Sequence, residues 1–280
     1  MNSFHTTNIE GIDIFYRESI KKDKPTMFLL HGFPSSSHMF RDLIPLLQDD
    51  FHLIALDYPG FGQSEAPSRK TFTYTFENLT KIVEKFIESF EINQFYLYVF
   101  DYGAPIGFRI AKNHPDKILG IVSQNGNVYQ EGLGDKWSLR RDFWNNPTPE
   151  KRDSYRNAFS PETIIKQYTQ GTKDNRVSPD GYTLDIAYTS DKEYAERQLD
   201  LIFDYQNNIK AYPEFQNYIR NYNPKILAVW GKNDPSFIPA GAEAFKKDDP
   251  NTEIALLDTG HFALETHAEI IAKLIKFYFI

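Results

Sequence analysis

Three side chains of this sequence could act together as a nucleophile, a base and an orienting acid. Asp101, Asp234 and His261 each stand just after a short apolar run, where a strand of a sheet would end. Side chains at the carboxyl ends of parallel strands meet at one edge of a sheet. The order along the chain, nucleophile, acid and then histidine, is a known order for a catalytic triad. We therefore predict that these three residues form one site.

A carboxylate nucleophile limits the reactions that such a site can carry out. It is ionised at neutral pH without a base, so His261 is free to activate water in a second step. Attack of Asp101 on an ordinary ester would give a mixed anhydride, whereas attack on a saturated carbon with a leaving group gives an alkyl ester. Water activated by His261 would hydrolyse that ester, with Asp234 orienting the imidazole. The residues predict a cofactor-independent hydrolase.

The elements that would position these residues follow a regular rhythm. Short apolar runs alternate with helix-length amphipathic segments, which is typical of a layered α/β fold with a mostly parallel sheet. Predicted strands are Ile12–Tyr16, Thr26–Leu30, Leu53–Leu56, Phe95–Phe100, Ile118–Val122, Ile226–Trp230 and Glu253–Leu257. Predicted helices are Phe76–Phe90, Ile106–Lys112 and a segment that begins at Leu264.

The rhythm breaks between residues 128 and 222, a segment that is polar, helical and rich in aromatics. We interpret it as a helical cap inserted between two parts of one core, residues 1–127 and 223–280. Because ligands of open α/β sheets bind beyond the carboxyl ends of the strands, this cap would cover the site. Its aromatic content predicts a small, mainly apolar substrate, with water as the second reactant.

The composition excludes several classes of protein. The 280 residues contain no cysteine, which rules out disulfides, thiolate metal sites and a cysteine nucleophile. A net charge of -7 argues against nucleic acid or an anionic membrane as a partner. The histidines are not spaced as metal ligands, the first residues do not read as a signal peptide, and no apolar run is long enough for a membrane span. We expect a soluble, cytoplasmic protein that needs no metal or cofactor.

Five segments carry a family resemblance that covers nearly the whole chain. They are HGFPSSSHMF (31–40), DYPGFGQS (57–64), VFDYGAPIGFRIAKNHP (99–115), WGKND (230–234) and DTGHFALE (258–265). In this order they resemble the epoxide hydrolase and haloalkane dehalogenase branch of the α/β-hydrolases, which has an aspartate nucleophile. The resemblance implies the α/β-hydrolase fold with an inserted helical cap. It also implies that the backbone N–H groups of Phe33 and Tyr102 form the oxyanion hole.

One departure concerns the turn that carries the nucleophile. The serine hydrolases of this fold read G-x-S-x-G, whereas here Asp101 takes the place of the serine and Val99 the place of the first glycine. Because no serine stands at or next to this turn, a serine-esterase mechanism would have no nucleophile there.

The leaving group stays open between an epoxide oxygen and a halide. Family dehalogenases usually place Asn at the position of Phe33 and Trp at the position of Tyr102, and this sequence has neither. Family epoxide hydrolases often read HGFP, as here, although they usually carry Trp after the aspartate. They protonate the epoxide with cap tyrosines, a role that the resemblance assigns to Tyr205, with Tyr155 and Tyr168 as candidates for a second donor. Epoxide hydrolysis to a diol is favoured, and haloalkane dehalogenation by the same covalent route is the alternative.

Two further alternatives are disfavoured. Fluoroacetate dehalogenases also resemble this chain, but they hold the substrate carboxylate with arginines just after the nucleophile, where this sequence has Tyr102 and Pro105. Arg109 is predicted to face away along its helix, so a carboxylate substrate is not expected. A non-catalytic ligand-binding protein on this fold would be free to lose a member of the triad, and the set here is intact.

Overall fold

The apolar runs of the sequence form the strands of one central sheet in the computed structural model, which describes residues 2–21, 23–173 and 176–280. The strands are β1 (Asn2–Ile9), β2 (Ile12–Ser19), β3 (Thr26–Leu30), β4 (His52–Leu56), β5 (Phe95–Phe100), β6 (Ile118–Gln124), β7 (Ile226–Gly231) and β8 (Glu253–Leu257). Their order across the sheet is β1-β2-β4-β3-β5-β6-β7-β8. The pairs β1–β2 and β2–β4 are antiparallel, and the other pairs are parallel. The predicted α/β class with a mostly parallel sheet is confirmed.

Helices cover both faces of this sheet. They are α1 (Leu43–Leu47), α2 (Phe76–Glu88), α3 (Gly103–Asn113), α4 (Trp137–Asn145), α5 (Pro149–Ser154), α6 (Pro161–Thr169), α7 (Pro179–Tyr188), α8 (Tyr194–Tyr222), α9 (Ala240–Ala244) and α10 (Leu264–Phe279). Short 3-10 helices occur at Ser37–Phe40, Pro115–Lys117, Gln130–Gly132, Tyr155–Phe159 and Phe245–Lys247. In the described part of the chain, no helix is both long and apolar enough to cross a membrane.

Strand β5 shows why the sheet must be covered on both sides. Its side chains alternate between the two faces, and all but Tyr96 are buried. Leu97 and Val99 pack in the hydrophobic cluster that contains α2 and α3, whereas Tyr98 and Phe100 pack in the cluster that contains α1 and α10. A strand buried on both faces reads as a continuous apolar run, which is the pattern that predicted it.

Strand β1 is not among the predicted strands. Its residues, NSFHTTNI, are mostly polar, because it pairs only with β2 at the edge of the sheet. An edge strand with exposed side chains has little apolar periodicity to detect.

The described residues between β6 and β7 are helical wherever they form regular structure, from the 3-10 helix at 130 to the end of α8. This is the segment predicted as the cap. Helix α8 ends where Asn223 adopts a left-handed conformation with a φ of 45°, a common termination signal that asparagine tolerates. The chain then returns to the sheet as β7.

Candidate active site

A tight turn between β5 and α3 carries Asp101. Its φ of 48° lies in the left-handed region, which non-glycine residues adopt rarely and which tends to mark functional turns. Two glycines make room for this turn. A Cβ on Gly32 would lie 2.4 Å from Asp101 Cβ, and a Cβ on Gly103 would lie 2.2 Å from the backbone oxygen of Leu30. The close backbone approach therefore holds the carboxylate at the edge of the sheet.

The two oxygens of the Asp101 carboxylate have different neighbours. Oδ1 accepts a hydrogen bond of 2.8 Å from the backbone N–H of Phe33, and Oδ2 lies 3.6 Å from His261 Nε2. Tyr102 follows at the start of α3, where backbone N–H groups lack partners within the helix. This arrangement leaves Oδ2 as the oxygen that can attack and Oδ1 as the oxygen that the backbone can stabilise.

His261 is held from its other side by Asp234. The distance between His261 Nδ1 and Asp234 Oδ2 is 2.6 Å, and both side chains are buried. Asp234 Oδ1 accepts from the backbone N–H of Ser236 at 2.7 Å. The structure thus brings together the three residues that the sequence places 133 and 27 positions apart.

Asn125 is a fourth residue of this network that the sequence analysis does not single out. Its Nδ2 donates to Asp234 Oδ2 at 2.9 Å, and its Oδ1 accepts from the backbone N–H of Gly231 at 2.9 Å. It follows β6 directly and has a φ of 43°. The signal available in the sequence is an asparagine-glycine pair just after a strand, which is common in ordinary turns.

The protonation of His261 reflects a balance between burial and two carboxylates. Burial by itself disfavours the charged imidazolium, but Asp234 and Asp101 outweigh this effect and raise the pKa of His261 to about 10. In the resting site, His261 is therefore a cation between two anions at neutral pH. Formation of an ester would remove the charge of Asp101, so the pKa of His261 would fall at the point where a base is needed.

We expect the Asp101→Asn variant to lower the pKa of His261, because it removes the carboxylate 3.6 Å from Nε2 while Asp234 remains. NMR titration of the imidazole measures the change, and Asp258→Asn, which alters a carboxylate paired with lysines, is the matched control. The folded pKa of about 10 lies above the ordinary 6.5. The stabilisation from His261 is thus fully present below about pH 6.5 and is lost as the pH rises through about 10. An imidazole that titrates near 6.5 in the parent protein would contradict this assignment.

A cavity of about 190 Å³ opens in front of the Asp101 carboxylate. Its lining includes Asp101, Asp234 and His261 together with Phe33 and Tyr102. An engineered apolar cavity of roughly 150 Å³ can bind benzene, so the volume suits a small substrate. The cap contributes the opposite wall, which includes Trp137 and Ile202.

The cap tyrosines singled out in the sequence do not reach this cavity. Among the described residues of the lining, none is Tyr155, Tyr168 or Tyr205. The Tyr168 hydroxyl donates to Asp185, and its ring stacks on Phe262 with 3.7 Å between ring centroids. The ring of Tyr155 packs on Phe143.

Tyr205 packs behind two residues of the cavity lining. It is 0% exposed, and its ring packs on Tyr102 and Trp137 at centroid distances of 5.9 and 4.8 Å. Its hydroxyl lies 3.5 Å from that of Tyr212. The structure thus places Tyr205, Tyr155 and Tyr168 in aromatic packing away from the cavity lining, and Tyr102 is the tyrosine among the described residues of that lining.

The described residues contain no group of three or more His, Cys, Asp or Glu side chains that could hold a metal ion.

Comparison with known proteins gives matches over most of the chain. A family model described as alpha/beta hydrolase fold matches residues 25–268. An uncharacterized hydrolase of Saccharomyces cerevisiae is 44% identical over 276 residues, which are 96% of this chain and 94% of that protein. A haloalkane dehalogenase of Psychrobacter cryohalolentis is 26% identical over 277 residues, which are 94% of this chain and 86% of that protein.

Among solved structures, the haloalkane dehalogenase DbeA from Bradyrhizobium elkani is similar with a TM-score of 0.82. It shares 22% sequence identity, and the alignment covers 100% of this chain and 98% of that chain. At this level of identity, the likeness concerns the fold.

Proposed function

We propose that this chain, which belongs to the α/β-hydrolase fold family and is a hydrolase, opens epoxides to diols through a covalent ester on Asp101. The observation that carries the proposal is the position of the Asp101 carboxylate between the Phe33 N–H, at 2.8 Å, and His261 Nε2, at 3.6 Å. That is the place of a nucleophile, and a carboxylate there favours attack on a saturated carbon.

In the first step, Asp101 Oδ2 attacks a ring carbon of the epoxide and the bond from that carbon to the ring oxygen breaks. The new bond is an alkyl ester, and the ring oxygen leaves as an alkoxide that must take up a proton. The hydroxyl of Tyr102, a residue of the cavity lining, supplies this proton. The tyrosinate regains a proton from the His261 imidazolium through solvent, which leaves His261 neutral.

In the second step, neutral His261 takes a proton from water, and the hydroxide attacks the ester carbon of Asp101. The oxyanion forms on Oδ1, where the Phe33 N–H already donates; loss of one such donor typically costs about 10²–10³ in rate. The tetrahedral intermediate expels the diol oxygen, which takes the proton from His261. The Asp101 carboxylic acid then returns its proton to His261, so that the net reaction adds one water to one epoxide.

An epoxide is favoured over a halide by the donors of the cavity. A departing halide needs N–H donors in an apolar pocket, but the indole N–H of Trp137 already donates to the Ser236 backbone oxygen at 2.9 Å. Positions 33 and 102 carry phenylalanine and tyrosine. Burial raises the pKa of Tyr102 above its ordinary value, so its hydroxyl stays protonated at neutral pH and can donate to an alkoxide.

A product assay tests the choice of leaving group. The protein is incubated with panels of small epoxides and small haloalkanes, and diol and free halide are measured. We expect diol formation and little halide. Halide release without diol would overturn the epoxide assignment in favour of haloalkane dehalogenation.

A single-turnover reaction in H₂¹⁸O tests the covalent route. The product oxygen should come from Asp101, and the isotope should enter the Asp101 peptide, which mass spectrometry detects. Isotope that enters only the product would mean direct attack by water and would contradict the ester intermediate.

A further inference from the structure

Two cations on the cavity lining have no role in the reaction described above. Lys136 and Arg140 stand at the beginning of α4, and both line the cavity that contains Asp101. The geometry points to a substrate with an anionic group, a carboxylate, that Arg140 and Lys136 bind while its other end faces Asp101. This inference rests on the proposed function and names the substrate class.

Arg140 is held in place on a rigid wall. Its guanidinium carbon lies 4.5 Å from the ring centroid of Trp137. Trp137 is 3% exposed, and its indole N–H donates to the backbone oxygen of Ser236. Stacking on an aromatic face restrains a guanidinium while its N–H groups stay available to a carboxylate. The cation is therefore positioned before any substrate enters.

Three other arginines of the cap, one in helix α8 and two that contact it, have carboxylate partners. Arg152 contacts Glu196 and Asp200, Arg156 contacts Glu196, and Arg197 contacts Asp191. In the described part of the chain, neither Arg140 nor Lys136 has a carboxylate within ion-pair distance. In a protein with a net charge of -7, two cations at the cavity that have no acidic partner among the described residues are available for an anionic ligand.

The charge of the cavity lining depends on these two residues. Asp101 and Asp234, with a protonated His261 between them, leave one net negative charge, which would repel an anionic substrate from the nucleophile. Lys136 and Arg140 change the net charge of the lining to one positive charge. Their presence makes the approach of a carboxylate to Asp101 favourable.

This inference revises the expectation from sequence that a carboxylate substrate is disfavoured. That expectation rested on Arg109, the arginine that follows the nucleophile. Arg109 does not line the cavity, and its Nη1 donates to the Pro105 backbone oxygen at 2.9 Å. The cations come instead from the first helix of the cap. Apolar side chains of the lining, such as Phe33, Phe237 and Ile202, still suit an apolar body between the epoxide and the carboxylate.

The test compares two substrates of nearly equal size, 4-(oxiran-2-yl)benzoate and its neutral amide, in which a phenyl ring separates the epoxide from the carboxylate or the amide. We expect the parent protein to prefer the carboxylate and Arg140→Gln to raise the KM for the carboxylate about 10- to 100-fold, the effect of losing a charge-assisted hydrogen bond. The KM for the amide should rise less than the KM for the carboxylate, so that the preference for the acid falls. Lys136→Gln should have a smaller effect, and Arg140→Lys should restore part of the preference.

Arg141→Gln is the matched control, because Arg141 neighbours Arg140 on α4 but its Nη2 contacts Gln130 instead. It should leave the KM of both substrates unchanged. Equal KM values for acid and amide in the parent protein, or an acid preference that survives Arg140→Gln, would overturn the inference.

A binding measurement separates this inference from the proposed function. Calorimetry compares 3-phenylpropionate with 3-phenylpropanamide, neither of which can react. Tighter binding of the acid that Arg140→Gln abolishes supports the anion site even if no epoxide is turned over, an outcome that would refute the proposed function alone. Diol formation from neutral epoxides, with no difference between the two ligands, would refute the anion site alone.

Discussion

Asp101→Asn is expected to lower kcat/KM by about 10⁴-fold or more, the scale seen when a nucleophile is removed. A neutral amide cannot attack a saturated carbon, so the first step is lost. The fold should survive, because an asparagine oxygen can still accept from the Phe33 N–H and because asparagine tolerates the left-handed φ of 48° at this turn. Steady-state kinetics measures the loss, and circular dichroism checks the fold.

The matched control for this variant is Asp258→Asn. Asp258 stands three residues before His261, but its carboxylate pairs with Lys173 and Lys232 at the surface. Turnover should stay near that of the parent protein. If Asp101→Asn kept more than a trace of activity while mass analysis showed no deamidation, Asp101 would not be the nucleophile.

His261→Gln is expected to separate the two steps of the reaction. Ester formation needs the ionised carboxylate of Asp101 and a proton from Tyr102, and both remain in this variant. Ester hydrolysis needs a base, and loss of that base should slow hydrolysis by about 10²–10⁴-fold. The ester should then accumulate after a burst of one equivalent. Intact-protein mass spectrometry should find an added mass equal to that of the epoxide.

The double variant with Asp101→Asn and His261→Gln provides the control for the adduct. It should show neither burst nor added mass, because no nucleophile remains. Near-parental turnover by His261→Gln would contradict the role of His261 as the base. An adduct that persists in the double variant would mean that another residue carries it.

Much of the fold follows from local pattern. Strands β3, β5 and β8 have the bounds that their apolar runs predict. For β3 and β5 the reason is that a strand buried on both faces must be apolar throughout. The match of the family model confirms the predicted α/β-hydrolase fold, and the hydrolase relatives confirm the predicted class of enzyme. The edge strand β1 is not among the predicted strands, because its polar, partly exposed residues form no continuous apolar run.

The sequence by itself determined which residues could form the site, since Asp101, Asp234 and His261 each follow a strand and parallel strands end at one edge. The tertiary structure alone decided what faces Asp101 from the cap. In the folded protein, Tyr205 lies behind Tyr102, and Arg140 and Lys136 line the cavity. The triad could be predicted because the end of a strand is determined by residues next to it in sequence. Which face of a cap helix meets the core depends instead on packing between segments far apart in the chain, and local periodicity does not encode it.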